Sequence, residues 1–314
     1  MAESGVYHVP ILVDDVLSLL ALERGGIFVD GTLGGGGHAE AVLSRLPEGS
    51  RLYGIDRDDD ALKESTARLM RFSDRFTAIK GNFFDMKELL LSRGVPQVDG
   101  ILLDLGVSSH QLDAAERGFS YQKEAPLDMR MDRTAALSAY EVVNGWSKEE
   151  LKRIFYEYGE ERFSDRIAGR IVSQRELHPI ETTTELAELI KSAIPGKFRN
   201  EPQHPARRVF QAIRIAVNGE LDGLWDAIVS AHDLLRPGGR LAILTFHSLE
   251  DRIVKNVFRS FESPCTCPKS APVCICGKTP TARILTRHPI TADDDEQQAN
   301  SRSTCAKLRA IERI

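Results

Sequence analysis

The chain has no run of 18 consecutive apolar residues anywhere in its 314, so neither a membrane span nor a membrane partner is expected. Its first residues, Met1-Ala2-Glu3-Ser4-Gly5, show no basic stretch leading into an apolar one, and no secretory leader is expected. Cysteine is scarce and odd in number: there are five, four of them between 265 and 276. That pattern excludes the paired framework of a small secreted protein and points to the cytoplasm. Positive charge is not in excess either. The formal net charge of −5 argues against a globally basic nucleic-acid binder but leaves room for a local basic face. There are no internal repeats. What remains is 42% apolar content over 314 residues, enough for one large domain or two smaller ones.

The most informative stretch is Ile27-Phe28-Val29-Asp30-Gly31-Thr32-Leu33-Gly34-Gly35-Gly36-Gly37-His38. Three apolar residues lead into an acid, a glycine-rich turn follows, and Ala39-Glu40-Ala41-Val42-Leu43 opens a helical pattern. This reads as strand, tight turn, helix, a layout that places a ligand at the carboxyl edge of a parallel sheet. The helix start offers N–H groups and the positive end of a dipole. About 25 residues on, Arg51-Leu52-Tyr53-Gly54-Ile55-Asp56 is a second strand ending in an acid, and Asp56 is a candidate ligand for ribose hydroxyls. Asp58, Asp59 and Asp60 read as solvated acids. A dinucleotide fold wants G-x-G-x-x-G directly after the strand, whereas here Asp30 precedes the glycines. That arrangement fits adenosylmethionine better than NAD, although Thr32 stands where methyltransferases commonly carry a glycine.

Further strands are expected at 75–79, ending near Phe83 and Phe84, at 98–104, ending in Asp104, and at 240–246, followed by His247-Ser248 and a helix. Either phenylalanine could stack on an adenine or simply pack in the core. An amphipathic helix is expected within 9–22, and helices after strands two and three. Strands alternating with helices predict an α/β fold with a parallel, doubly wound sheet. Two tail segments, 283–286 and 306–311, suit an antiparallel edge hairpin. Between strands four and five the pattern changes. Residues 105–132 have aromatics, Met and Arg without a period and read as a long functional loop. Residues 138–194 are helical throughout, one helix opening with the capping-box pattern Ser147-Lys148-Glu149-Glu150. The expected domains are therefore 1–108 with 213–314, and an inserted helical subdomain, 109–212, for substrate recognition.

Two basic stretches fall in or beside the insertion. Lys197, Arg199, Arg207, Arg208 and Arg214 against Glu201 carry a net +4, and Arg162, Arg166, Arg170 and Arg175 against Asp165 carry +3. They form either a phosphate-tracking face or ordinary solvated helix faces. Phe119 and Tyr121, near Arg117, are candidates for stacking an extruded base, or else core. Cys265-Thr266-Cys267 and Cys274-Ile275-Cys276 satisfy a tetrahedral zinc by count, but zinc sites usually space their cysteines C-x₂-C. They are either a structural zinc site or reduced, free thiols, and no metal ligand is assigned on that pattern.

Val29-Asp30-Gly31-Thr32-Leu33-Gly34-Gly35-Gly36-Gly37-His38, Leu102-Leu103-Asp104-Leu105-Gly106-Val107-Ser108-Ser109, Pro126-Leu127-Asp128-Met129-Arg130-Met131 and Phe246-His247-Ser248-Leu249-Glu250-Asp251-Arg252 together resemble the bacterial ribosomal RNA small-subunit methyltransferase H family. The resemblance runs from His8 to near the C-terminus. It implies a class I methyltransferase domain, with a Rossmann-like, seven-stranded, mostly parallel sheet and a helical insertion. It also implies S-adenosyl-L-methionine as cofactor and N4 of a cytidine in the decoding region of 16S rRNA as acceptor. Matched position by position, it implies cofactor contacts from Gly36, Gly37, His38, Asp56, Phe83, Asp104 and Gln111. It gives the cysteine cluster no role.

The lone pair of cytosine N4 is conjugated into the ring, so an acceptor for its N–H would make it a better nucleophile. Many amino-methyltransferases carry an acid, Asn or Ser followed by Pro-Pro-aromatic after strand four for this. Here Asp104-Leu105-Gly106-Val107 stands instead. Asp104 is the expected polarising group, with Ser108 beside it and His247 a weaker candidate for handling the proton. The expected partner is 16S rRNA within the small ribosomal subunit, with a homodimer left open. The rival readings are a non-catalytic RNA-binding assembly protein and an NAD-dependent oxidoreductase.

Overall fold

The computed structural model describes residues 10–198, 204–268 and 275–314. It divides into two compact units: residues 1–106 with 221–314, and residues 107–220. The expected break at 212/213 falls inside the helix Ala206–Asn218, which belongs whole to the second unit. That helix buries Val209, Phe210, Ala212 and Ile213 in the second unit's own core, so the division cannot cut through it.

The first unit is built on strands β1 (Ile27–Asp30), β2 (Arg51–Asp56), β3 (Phe76–Lys80), β4 (Val98–Asp104), β5 (Leu235–Thr245), β6 (Ala282–Ile284) and β7 (Lys307–Arg313). They form one sheet in the order β3-β2-β1-β4-β5-β7-β6. The first five are mutually parallel, and β7 runs antiparallel to both neighbours. The tail hairpin is present, but β7 lies inside the sheet between β5 and β6, so of the two only β6 is an edge strand. β5 starts five residues earlier than expected. It pairs Leu235 with Val98 and Arg240 with Gly100, and the Arg236–Gly239 turn, with Gly238 at φ 82°, bulges out between those pairs. Apolar side chains cover both faces of the sheet. One core gathers Val29, Ile55, Ile101, Leu103 and Ile243, the other Phe28, Leu52, Leu102, Ala242 and Leu244. That alternation along strands buried on both faces is what the near-continuous apolar runs encode. No helix of the described residues is long and apolar enough to cross a membrane.

The second unit holds helices Ser109–Asp113, Ala139–Gly145, Lys148–Glu157, Ser164–Arg175, Thr183–Ala193 and Ala206–Asn218. Ser147 and Glu150 form the capping box their spacing implies, and Ser138 with Glu141 forms another. Both satisfy N–H groups that a helix start leaves without internal partners. The aperiodic stretch before them is held by buried polar contacts. Arg117 is buried and donates to the carbonyls of Arg130 and Met131 at 3.0 and 3.1 Å. Gly118, at φ 70°, lies so close to the chain that an added Cβ would stand 2.3 Å from the Pro126 carbonyl oxygen. Gly118→Ala is therefore expected to destabilise this unit by about 2–3 kcal/mol, from left-handed strain plus a backbone clash. Urea unfolding followed by Trp146 fluorescence measures it. A loss under about 0.5 kcal/mol would mean that the loop relaxes freely.

Candidate active site

The site in the first unit begins with strand register. Asp30 ends β1, and it pairs with Gly54 of β2 and Leu102 of β4. Both neighbours run two residues further, to Asp56 and Asp104, so three acids cluster at the carboxyl edge where β1 has already turned away. The glycine loop fills the step. Gly31 N–H donates to the Leu102 carbonyl at 2.9 Å and Leu33 N–H to that of Ile55 at 3.0 Å. Gly31 has no room for a side chain: a Cβ would stand 2.5 Å from Leu103 and 3.3 Å from Phe83 Cβ. Thr32, the departure from the usual glycine, has a structural use. Its hydroxyl accepts the Asp104 backbone N–H at 2.5 Å, which fixes where β4 ends. Gly34 N–H donates to Asp56 Oδ2 at 2.7 Å, and Asp58 N–H donates to Oδ1 at 2.9 Å. Asp58 itself is buried and caps the next helix by accepting from Asp60 N–H, so it is not the solvated acid expected.

His38 lies in the first turn of helix Gly37–Arg45 and is buried. Nε2 is 2.9 Å from the Ile11 carbonyl, and Nδ1 is 3.4 Å from Asp104 Oδ2. A carbonyl only accepts, so Nε2 carries a proton. Nδ1 then faces a carboxylate, which calls for a second proton. Burial lowers the His38 pKa, but the hydrogen bond and charge of Asp104 outweigh it and leave the pKa above the ordinary value. His38 thus grips Asp104 and the segment around Ile11, and the placement makes it a positioning group. Burial raises the Asp30 carboxyl to about 7, with His38 and the Thr32 N–H opposing and the charges of Asp104 and Asp56 reinforcing. Burial likewise raises Asp56, against the bonds from Asp58 and Gly34.

Gly36, at φ 78°, donates its N–H to the Leu33 carbonyl and closes the turn, while Gly37 packs with a would-be Cβ 3.2 Å from Pro10. Phe83 begins a 3₁₀ turn after β3, its half-buried ring edge-on to Phe84 at 4.6 Å. Phe83, Gly31, His38, Asp56 and Asp104 therefore share the carboxyl edge of β1, β2, β3 and β4. His247 does different work from that expected. It caps helix Ser248–Glu262, with Nδ1 accepting from the Glu250 N–H, while Glu250 Oε2 accepts from the Phe246 and His247 N–H groups. Its Nε2 is 3.1 Å from Glu250 Oε1 but out of line for a hydrogen bond. A ring engaged in this way is a cap before it is a proton carrier.

Ser108 and Gln111 belong to the second unit. They form a reciprocal capping box, Gln111 N–H to Ser108 Oγ at 3.2 Å and Ser108 N–H to Gln111 Oε1 at 3.0 Å. Phe119 is core and not a stacking platform, while Tyr121 stacks on His204 at 4.7 Å. The basic stretches are partly spent. Arg214 makes a two-pronged pair with Glu220, and Arg175 donates to the carbonyls of Val143 and Trp146. Arg162, Arg166, Arg170, Lys197, Arg207 and Arg208 are exposed. Arg199 and Glu201 lie outside the described residues, as does Cys274 of the cysteine cluster.

One atom tests whether adenosylmethionine fits here. Asp104 Oδ1 is buried and meets no hydrogen-bond partner among the described residues. A buried carboxylate oxygen without a donor is costly, and an N–H from outside the chain would satisfy it. The α-ammonium of the methionine moiety is such a donor. Asp56 lies two strands away, where a ribose acid stands in nucleoside-binding sheets. The sheet order with an antiparallel seventh strand, the glycine turn after β1 and the acids ending β2 and β4 define a class I methyltransferase, whose cofactor is adenosylmethionine. Residues 5–314 match the model of the MraW methylase family, and the chain belongs to that family. It is 50% identical over 314 residues to ribosomal RNA small subunit methyltransferase H of Brevibacillus brevis, covering 100% of both chains. It is 53% identical over 308 residues to the protein of the same name from Syntrophus aciditrophicus, covering 98% of each.

Proposed function

We propose that the protein methylates N4 of a cytidine in the decoding region of 16S rRNA, using S-adenosyl-L-methionine, and that it acts in the cytoplasm on the small ribosomal subunit. The observation that carries the chemistry is the buried Asp104 Oδ1, which meets no hydrogen-bond partner among the described residues. Bound adenosylmethionine supplies an electrophilic methyl group on a sulfonium. In-line displacement asks chiefly for positioning. Thr32 holds the Asp104 backbone and His38 holds Oδ2, leaving Oδ1 as the acceptor for an N–H. Accepting one N4 proton returns lone-pair density to that nitrogen as its bond to the methyl carbon forms and the carbon–sulfur bond breaks. The second unit is the proposed substrate-recognition part, through its exposed arginines and Lys197. The oxidoreductase alternative falls with membership in a methylase family.

The test uses labelled adenosylmethionine with small subunits, or free 16S rRNA, lacking the modification, and identifies the labelled nucleoside by mass spectrometry. N4-methylcytidine from subunits is expected. Label in free RNA alone would move the action to an earlier stage of assembly. RNA binding without label would favour an assembly protein. For the basic face, the double variant Arg207→Ala/Arg208→Ala is expected to weaken RNA binding about tenfold or more and to reduce the salt slope by about 2. An unchanged slope in a salt titration would remove those two residues from the RNA contact.

A further inference from the structure

Helix Ser248–Glu262 and strand β6, which starts at Ala282, are separated by residues 263–281, with no helix or strand among those described. Connections of this length are uncommon and need some organiser. The neck is tied. Thr281 N–H donates to the Phe261 carbonyl at 2.9 Å, and Ile284 N–H donates to Glu262 Oε1 at 3.0 Å. Among the described residues beyond the neck, Ile275 is 88% exposed, and Cys265, Cys267 and Cys276 are exposed or half-buried.

Three sulfurs meet in this segment. The Sγ atoms of Cys265, Cys267 and Cys276 all lie within 4.8 Å of one another. In a tetrahedral thiolate site with zinc–sulfur bonds of about 2.3 Å, neighbouring sulfurs stand about 3.8 Å apart. The three are thus drawn together almost to ligand spacing. Two further features fit a metal knuckle. The Ile275 N–H donates to Cys267 Sγ at 3.4 Å, the kind of outer contact that spreads a thiolate's charge and fixes its direction. Gly277, directly after Cys276, is at φ 65° with open space where a Cβ would be, so glycine serves the reversal of the backbone there and not a tight contact. Residues 263–281 contain no Asp or Glu, and their only charged residues are Lys269 and Lys278. Hard oxygen-preferring cations therefore find no carboxylate in the segment.

We propose that Cys265, Cys267 and Cys276 bind a zinc ion as thiolates, forming a structural clip that organises the segment leading into β6. Zinc is redox-inert and prefers tetrahedral sulfur sites. Each cysteine releases one proton on binding, so three thiols and one Zn²⁺ give three zinc–sulfur bonds and three protons. The clip lies in the tail of the first unit and takes no part in methyl transfer, so the proposal stands independently of the substrate.

The experiment reads metal and not activity. The full chain is purified without chelator or immobilised metal and analysed by inductively coupled plasma mass spectrometry. One zinc per chain is expected in the native protein and in Cys305→Ser. Less than about one-tenth is expected in Cys265→Ser and in Cys276→Ser, with unchanged far-ultraviolet circular dichroism. Replacing zinc by cobalt in the native chain is expected to give the strong visible bands and near-ultraviolet sulfur-to-cobalt absorption of a tetrahedral thiolate site. Native protein with no zinc and no such cobalt spectrum would overturn the proposal. So would full zinc retained in Cys265→Ser, iron in place of zinc, or cysteines found joined as disulfides after purification under reducing conditions.

Discussion

Asp104→Asn is expected to lower methyl-transfer turnover about 10²–10³-fold, the usual cost of removing one preorganised group aimed at developing charge. The substitution keeps volume and leaves an amide oxygen able to face His38. It replaces the other oxygen, buried and without a partner among the described residues, by an N–H₂ that cannot accept from an amine. Two roles for that oxygen give different results. If it only anchored the cofactor's ammonium, equilibrium binding of adenosylmethionine and single-turnover rate at saturating cofactor would separate, with affinity lost and rate kept. A polarising role lowers the saturated rate itself. Full turnover with unchanged affinity would remove Asp104 from the chemistry. His38 is tied into the result: its Nδ1 stands 3.4 Å from Asp104 Oδ2, and a neutral amide there no longer stabilises the imidazolium, so the His38 pKa is expected to fall in the variant. The C2 proton of the ring in NMR reports that shift directly.

The sheet was legible because its signals are local. Apolar runs ending in Asp30, Asp56 and Asp104 mark strands that stop at one edge, and the helical patterns between them force parallel pairing. Ser147 and Glu150 announced a helix start three residues apart. What was not legible depends on contacts across long sequence separations. Nothing near Thr32 says that its hydroxyl receives an N–H from residue 104, so a structural substitution looked like a defect in a motif. His38 is matched by the resemblance to a cofactor contact, but its ring is taken up by Ile11, 27 residues earlier, and Asp104, 66 later. His247 looked chemical because histidine titrates near neutrality, yet capping uses the same lone pair. Phe119 beside Arg117, and Arg214, stay open between an RNA face and ordinary structure in the sequence because arginine and aromatics serve both interfaces and cores. Only the carbonyls behind Arg117 and the Glu220 carboxylate opposite Arg214 separate the two uses. The subdomain boundary was misplaced for a similar reason: helix 206–218 was readable as a helix, but which core it packs into is a tertiary fact.

The largest expected effect on stability concerns Asp30. Its carboxyl is buried, and burial lifts its pKa from the ordinary 3.8 to about 7 in the folded chain. Between those values the folded state binds a proton that the unfolded state has released. The slope of unfolding free energy with pH follows the protons bound in the unfolded state minus those in the folded state, which here is negative. Asp30 therefore supports the fold fully below about pH 4, loses that support as pH rises, and contributes no further change above about pH 7. Asparagine keeps the acceptor for the Thr32 N–H, which lies 3.1 Å from Asp30 Oδ1, and does not titrate. The stability of Asp30→Asn relative to the native protein is thus expected to grow by about 3 kcal/mol between pH 5 and pH 8, from two units at about 1.4 kcal/mol each. His38 works in the same direction in the native protein, since its raised pKa also makes support fade as pH rises. In the variant His38 loses the attraction of Asp30 but keeps that of Asp104, so less of its support fades as pH rises, which adds to the gain. Urea unfolding of both proteins at pH 5, 6, 7 and 8 gives the difference curve. A flat curve would mean that Asp30 is ionised in the fold throughout, paired by a charge that this arrangement of His38 and three acids does not supply.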